Sequence, residues 1–382
     1  MKPRVLFLAQ EIHPIPPVKG AAVEQWIAEV ARRLRAYEPH IVSVPHPDRP
    51  DREVDGGVHY HRIRIGAVYK RLFRKLTRLD PWSWTDRVLS YARRIGPAII
   101  HIHNAPRLVG PLAAGCGQAK LILHMHNEKS DSVRAHVDAL AACSLYIRDW
   151  YQTRGVDAGR FLVLPNGVDT QRLSPALRAQ AWSSARTRYG IPPGRFVVMY
   201  VGRISPEKGP DLLAQAARLL DPSKFHFVFA GEWPQGDPAK SERGRFARSL
   251  RRDMEGLPLS IIDVVRPEEM LQIYALGDLV VIPSRFEEPF SMVAIEAMAC
   301  GVPVLALRKG GMAEYMVHGQ NALVIDGGSS AAQLADALRH AAQDGAQLAS
   351  IADQACRMVG ASYTWERVAA QTETLYGQLC RS

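Results

Sequence analysis

Two kinds of apolar pattern alternate along this chain. Short continuous runs at Val5–Ala9, Ile41–Val44, His59–Ile65, Ala98–His103 and Lys120–His126 read as buried strands. The same signal recurs in the second half at Phe196–Val201, Phe225–Gly231, Ile261–Val265, Asp278–Ile282, Val304–Leu307 and Ala322–Ile325. Between the runs, Val23–Tyr37 places Val23, Trp26, Ile27, Val30 and Leu34 on one helical face, and Ser291–Ala299 and Ala331–Ala342 carry further helix signals. Strand and helix in alternation imply an α/β fold with parallel sheets covered by helices. The pattern restarts after Pro165-Asn166-Gly167-Val168-Asp169, where Asn-Gly is a strong turn signal, and after a stretch holding Pro175, Pro192 and Pro193. Two domains are expected, residues 1–170 and 171–363, and 382 residues are enough for two cores.

The richest stretch runs from Pro283 to Pro303. A strand ends at Pro283, a helix begins after Pro289, and Gly301 stands where a left-handed cap is wanted. The amides around Phe290, Ser291 and Met292 would then face the C-terminal edge of a parallel sheet, a setting that attracts phosphate. Glu288 and Glu296 bracket that anion site. Carboxylates repel phosphate but can each accept two hydroxyl hydrogens from a vicinal diol, as on a sugar or a ribose. The plainer reading is that both merely suit a helix start and a solvated face. A second loop, Gly202-Arg203-Ile204-Ser205-Pro206-Glu207-Lys208-Gly209, sets an Arg and a Lys between strand and helix. The guanidinium can bind an anion bidentately and the ammonium as a point charge.

These two motifs together resemble the donor site of the retaining GT-B glycosyltransferases of family 4, similar to bacterial surface-polysaccharide and spore-coat-associated enzymes. The resemblance implies two Rossmann-like domains facing across a cleft, with the last helix, 364–382, packing back on the first. It implies that Glu288 contacts the transferred sugar, that Glu296 holds the ribose, and that Arg203 and Lys208, with Gly202 in their loop, hold the diphosphate. Val265 and Arg266 would neighbour the base. The family usually has Gly where this chain has Ser291; we expect the position to need only a free N–H, which Ser supplies while also capping the helix.

The first half adds weaker candidates. Between Val5–Ala9 and the helix from Val23 lies a loop with Gly20, but no G-x-G-x-x-G, so NAD binding is not read. The resemblance places Gly20 beside the donor diphosphate, open to close backbone approach. Two strands end in His101-Ile102-His103-Asn104 and His124-Met125-His126-Asn127, and alternation puts His124 and His126 on one side. The resemblance sets His126 beside the transferred sugar; His103 and Asn166 are acceptor-side candidates. No D-x-D element is present, so neither a metal nor a cofactor is expected at the diphosphate.

Charge changes the picture in one place. The net charge is +10, and residues 1–170 hold 25 Lys and Arg against 16 Asp and Glu. Leu72, Phe73, Leu76 and Leu79 form an apolar stripe among Lys70, Arg71, Arg74, Lys75 and Arg78, followed by Trp82 and Trp84. Such a segment, residues 69–84, suits either an anionic membrane surface or ordinary packing on its own domain. No nucleic-acid motif accompanies it. Five cysteines without a C-x-x-C pair, and no long apolar run, point to a cytoplasmic protein, peripheral at the inner membrane face if the basic segment engages lipid. The partners expected are a nucleotide-diphosphate sugar, UDP-linked before GDP-linked, and a glycan or lipid-linked acceptor. A sugar-nucleotide epimerase, a phosphorylase or a non-catalytic spore-coat-type protein would share the fold.

Overall fold

The computed structural model describes residues 2–77, 79–129, 137–157, 161–234, 237, 241–327 and 330–381. The chain divides into two compact units, Met1–Asn166 with Trp365–Ser382, and Gly167–Thr364. Each is an α/β sandwich around its own sheet.

The first unit has eight strands: β1 Arg4–Leu8, β2 Glu38–Ser43, β3 Arg52–Asp55, β4 Val58–Arg62, β5 Ile99–His103, β6 Lys120–Met125, β7 Ala139–Ala142 and β8 Phe161–Val163. Their order is β3-β4-β2-β1-β5-β6-β7-β8. All neighbours are parallel, as expected, except the β3–β4 hairpin, which adds one antiparallel strand at the edge. Three strands escaped the apolar pattern. Arg52–Asp55 has a single apolar residue on an edge, and the turn Gly56-Gly57 closes it. Ala139–Ala142 has helix-prone composition and is a strand because burial on both faces outweighs local propensity. Phe161–Val163 is three residues long.

Helix Ala22–Arg33 turns Trp26, Ile27 and Val30 inward, all fully buried, and the Trp26 ring lies 4.8–5.3 Å from those of His101 and His103 on β5 and His124 on β6. It stops four residues before the expected Tyr37, where Leu34 turns to extended backbone. The last helix, Trp365–Arg381, belongs to this unit: Trp365 and Tyr376 are buried, and the Arg33 Nε donates to Glu366 Oε1 at 2.8 Å. Burying side chains of this size contributes about 1.5–3 kcal/mol each. Helix Trp84–Ile95 starts on a reciprocal Ser83–Asp86 capping box and ends at left-handed Gly96.

The basic segment is helical over Ala67–Tyr69 and continues as a wide π-type helix over Lys70–Thr77. Leu72, Leu76, Leu79 and Trp82 are exposed, whereas Trp84 is 5% exposed and starts the next helix. Trp84 is therefore core, not part of an interfacial pair. Arg78 and the Arg74 side chain lie outside the described residues.

The second unit is all parallel: β9 Phe196–Val201, β10 Phe225–Ala230, β11 Leu259–Ile262, β12 Leu279–Ile282, β13 Val304–Leu307 and β14 Leu323–Ile325, ordered β11-β10-β9-β12-β13-β14. Phe227, Phe229, Leu213 and Leu338 pack its core. β9 and β12 are neighbours at the sheet centre, so the loops that follow them emerge side by side.

Candidate functional site

At the C-terminal edge of the second sheet, loops after β9, β12 and β13 converge on Glu288. Its carboxylate Oε1 accepts from Lys208 Nζ at 2.7 Å and from Ser284 Oγ at 2.5 Å, and the side chain is 5% exposed. The Lys208 ammonium also lies 4.7 Å from the Phe286 ring centroid. Two glycines make the approach workable. Gly209 has φ +69 and a Cβ there would stand 2.0 Å from the Pro283 carbonyl oxygen; Gly310 has φ +52 and a Cβ would stand 2.3 Å from the Glu288 carbonyl oxygen. Gly311 N–H donates to that same carbonyl at 2.7 Å. The backbone of Glu288 is thus held by β13's loop while its carboxylate is held by Lys208.

Helix Met292–Ala299 begins beside this group. Phe290 is buried, its carbonyl accepts from Tyr315 OH at 2.7 Å, and its ring lies 5.5 Å from those of Tyr315 and Tyr363. Ser291 has φ +75 and ψ +95, and its hydroxyl makes no cap bond. Both parts of the expectation for Ser291 are corrected: the position does require the conformation glycine favours, and Ser does not cap. Glu296, half-buried one turn further in, accepts from Tyr274 OH at 2.9 Å, and burial pushes its carboxyl up to about 7. Arg203 is exposed, its carbonyl accepting from Tyr200 OH at 2.6 Å. Val265 and Arg266 follow β11 in a loop, three and four residues past the strand's last residue, Ile262. Gly202 adjoins Gly231, where a Cβ would meet the Gly202 carbonyl oxygen at 1.8 Å.

The first unit gathers uncharged groups instead. His101, His103, His124 and His126 are buried against Trp26, with His124 and His126 stacked 4.0 Å apart on one side as alternation required. His126 N–H donates to Asn104 Oδ1 at 2.8 Å, and its Nε2 is 3.0 Å from His103 Nδ1. Burial pushes the His126 imidazole down to about 3, so it is neutral near pH 7 and serves as a hydrogen-bonding group, not a proton donor of its own. His103 is fully buried behind it, which fits a support for His126 and not a surface acceptor contact. Asn166 is buried next to Pro165, whose carbonyl accepts from Trp26 Nε1 at 3.0 Å. Gly20 has open space where a Cβ would stand and an ordinary φ, so no protein group demands glycine there.

Sequence reasoning gave no role to Ser284, Tyr274, Gly310 or Asn104. Asn104 was within reach: it holds φ +50 at the end of a His-x-His-Asn strand, a conformation Asn tolerates. Tyr274 had no local signal; only the tertiary fold brings it to Glu296. A cavity of about 550 Å³ lined by Pro175, Arg178, Phe196, Asp278 and Pro303 lies at the opposite, N-terminal edge of the second sheet, and none of the expected site residues lines it.

Known proteins resemble this chain in sequence and in fold. The profile of Glycosyl transferases group 1 matches residues 183–358, and that of Glycosyltransferase Family 4 matches 23–172. The chain is 31% identical over 381 residues to lipopolysaccharide 1,2-N-acetylglucosaminetransferase of Salmonella typhimurium, covering 97% of each, and 25% identical to spore coat protein SA of Bacillus subtilis, covering 98% and 99%. Among solved structures it is similar to sucrose-phosphate synthase from Thermosynechococcus elongatus, TM-score 0.81 and 22% identity over 98% and 99% of the chains. It is also similar to HepE of Anabaena in complex with UDP and glucose, TM-score 0.75 and 21% identity over 98% and 99%.

Proposed function

This chain belongs to glycosyltransferase family 4 and is a glycosyltransferase of GT-B fold, and from that premise we propose that it moves a sugar from a nucleotide diphosphate to a surface glycan with retention of anomeric configuration. The observation that carries the reading is the Lys208–Glu288–Ser284 cluster beside the start of helix Met292–Ala299. An ammonium has three donors; one binds Glu288 and two remain for phosphate oxygens. Lys208, Arg203 and the amides at Phe290–Met292 stabilise the departing diphosphate, so the charge that a metal ion would carry is supplied by the protein. Glu288 accepts hydroxyl hydrogens of the transferred sugar and Glu296 those of the ribose. Gly202 gives the diphosphate loop room, and Val265 and Arg266 flank the base. In the first unit, Gly20 leaves space for phosphate and His126 offers a neutral hydrogen bond to the sugar. The bond from the anomeric carbon to the phosphate oxygen breaks, the acceptor oxygen joins on the same face, and the leaving phosphate oxygen takes the acceptor proton.

We favour UDP-sugar as donor and a lipopolysaccharide-type or lipid-linked glycan as acceptor, in keeping with the activity named for the Salmonella relative and the ligands of the Anabaena structure. A thermal-shift panel of UDP-, GDP-, ADP- and dTDP-sugars tests the donor: a ligand at a hundred times its dissociation constant adds about 2.7 kcal/mol. NMR of the product then reads its anomeric configuration. An inverted linkage overturns the retaining mechanism; isomerised or phosphorolysed sugar formed without acceptor overturns transfer.

No helix among the described residues is long and apolar enough to cross a membrane. We place the protein in the cytoplasm at the inner membrane face, engaged through the exposed Leu72, Leu76, Leu79 and Trp82 with Lys70, Arg71 and Lys75 around them. Anionic vesicles should sediment it at low salt and release it at high salt. Equal sedimentation after Arg71→Glu and Lys75→Glu with Leu76→Ser would refute the placement.

A further inference from the structure

We propose a transition-metal site at the N-terminal edge of the first sheet, formed by Glu38 and His40 on β2 and His59 on β4, that takes Zn²⁺ in four-coordinate geometry with water in the fourth position. β2 and β4 are parallel neighbours with His40 opposite His59, so the two imidazoles leave the sheet on one face, and Glu38, two residues before His40, shares that face. The ring centroids are 4.5 Å apart. Glu38 Oε1 is 2.9 Å from His40 Nε2 and 3.8 Å from His59 Nε2, and the three ligating atoms lie within 4.8 Å of one another. A tetrahedral zinc with ligands at about 2.0–2.1 Å sets them roughly 3.3 Å apart, so the 2.9 Å pair opens slightly and the 3.8 Å pair closes by about half an ångström.

Surrounding groups already do what the outer partners of a zinc ligand do. His40 Nδ1 is 3.0 Å from Tyr91 OH on helix Trp84–Ile95, and that hydroxyl can accept an N–H as readily as it can donate. Without metal, His40 Nε2–H donates to Glu38 and Nδ1 accepts from Tyr91. With metal, the ion takes the Nε2 lone pair, the ring's single hydrogen moves to Nδ1 and is donated to the Tyr91 oxygen, and no net proton is lost from the ring. Arg4 holds the same carboxylate oxygen: its Nη1 donates to Ile95 O at 2.7 Å and its Nε to Glu38 Oε1 at 3.3 Å. Arg4 and the zinc would then share the Glu38 carboxylate.

Chemistry separates this site from the other histidine cluster. His101, His103 and His124 also bring ring nitrogens within 4.8 Å, but all three are fully buried. No carboxylate is among them to offset a divalent charge, whose burial is heavily penalised. At Glu38, His40 and His59 the carboxylate supplies that charge, and the partly exposed Glu38 and His59 admit the ion and its water. The site lies at the opposite end of the strands from His103 and His126, so its role is to tie β2 to β4 and not to take part in transfer.

The test uses tag-free full-length protein stripped with a chelator and titrated with Co²⁺, whose absorption reports coordination geometry. One equivalent should give the intense visible bands of a tetrahedral site, Zn²⁺ should abolish them, and Zn²⁺ should raise the melting temperature. His59→Gln changes a partly exposed side chain and should leave the fold intact by circular dichroism while weakening Co²⁺ binding at least thirtyfold. Glu38→Gln should weaken it about tenfold, and His13→Gln, at an exposed position, should not change it. Weak octahedral bands only, or tetrahedral bands that survive in both His59→Gln and His40→Gln, would overturn the site.

Discussion

The C-terminal edges of the two sheets present opposite solutions to building a polar site. In the second unit the edge is ionic: Lys208, Glu288 and Ser284 are bonded together, and Glu296 is bonded to Tyr274. In the first the buried part is neutral: four histidines, their imidazoles pushed well down by desolvation, packed on Trp26. The difference follows from the charge each edge is proposed to meet. An anion that grows more negative during reaction needs fixed cations, and those need counter-charges while the site is empty. A neutral sugar hydroxyl needs only an oriented donor or acceptor, and a buried imidazole supplies one without a counter-ion. Net charge therefore misleads about the chemistry: the first unit carries the basic excess, yet the four histidines buried at its edge are neutral, and the Lys129 ammonium beside them donates to the Asn104 carbonyl at 3.0 Å.

The sharpest way to break this comparison is to remove the cation. Lys208→Ala should lower turnover about 10²–10³-fold if it acts on the leaving group as an oxyanion donor does. It also leaves Glu288 buried without its partner, which destabilises by as much as 3–5 kcal/mol, so turnover is to be referred to the folded fraction. Near-normal turnover of the folded variant would make the ion pair structural only. His126→Asn, which keeps a neutral hydrogen-bonding group, should fall far less, and an equal loss would erase the ionic–neutral distinction.

Next in size is the separation of the two glutamates. Glu296→Gln should weaken free nucleoside diphosphate and sugar nucleotide alike, whereas Glu288→Gln should spare the free nucleotide and weaken only the intact donor. Each charged hydrogen bond is worth roughly 1.5–3 kcal/mol, well within the reach of titration calorimetry. Identical losses for both ligands in both variants would defeat the assignment.

How much of this was legible beforehand differs between the units for the same physical reason. The ionic edge is written locally: Gly202-Arg203 with Lys208-Gly209, and Glu288 with Glu296, sit in short loops between strands whose apolar runs mark their ends. All six strands of the second unit were read, with boundaries off by at most three residues, because an all-parallel sheet buries both faces of every strand. The first unit hides more. Arg52–Asp55 is an edge strand with no apolar alternation, and Ala139–Ala142 reads locally as helix. The Lys208–Glu288 bond, the Tyr274 contact and the His103–His126 pair join residues 80, 22 and 23 positions apart, which only the folded chain brings together.

Glu296 offers a pH test of the ionic edge. Burial raises its folded-state pKa from the ordinary 4.5 to about 7, so the native state binds the proton more tightly than the unfolded chain. Stability contributed by the protonated form is full below about pH 4.5 and declines as pH rises toward 7, then stays level. The whole displacement corresponds to about 3 kcal/mol, and partial contact with water reduces it to roughly 1–2. Chemical denaturation of wild type and Glu296→Gln at pH 5 and pH 8 reads it: the variant should gain on wild type as pH rises. A difference that is constant with pH would show that the carboxyl ionises normally. Under the proposed ribose contact, the same burial implies that nucleotide binding tightens as pH rises through 7.

The smallest effect concerns Ser291, and it separates two readings of one residue. If the hydroxyl capped the helix, Ser291→Ala would lose about 0.5–2 kcal/mol and Ser291→Gly only a few tenths. The structure shows φ +75 with no cap bond, so strain and not capping governs the position. A side chain held there costs about 1–3 kcal/mol, of which glycine recovers part while adding about 0.5–1 kcal/mol of unfolded-chain entropy. Ser291→Gly should therefore stabilise the second unit by about 1 kcal/mol, and Ser291→Ala should be nearly neutral, as both Ser and Ala carry a Cβ into the same conformation. Denaturant midpoints of the two variants decide between the readings: capping puts both below wild type, whereas strain puts Ser291→Gly above it and Ser291→Ala level with it. Turnover of Ser291→Gly should be unchanged within about twofold, since the N–H that would meet the phosphate is the same in both; a large fall would mean that the hydroxyl itself touches the donor.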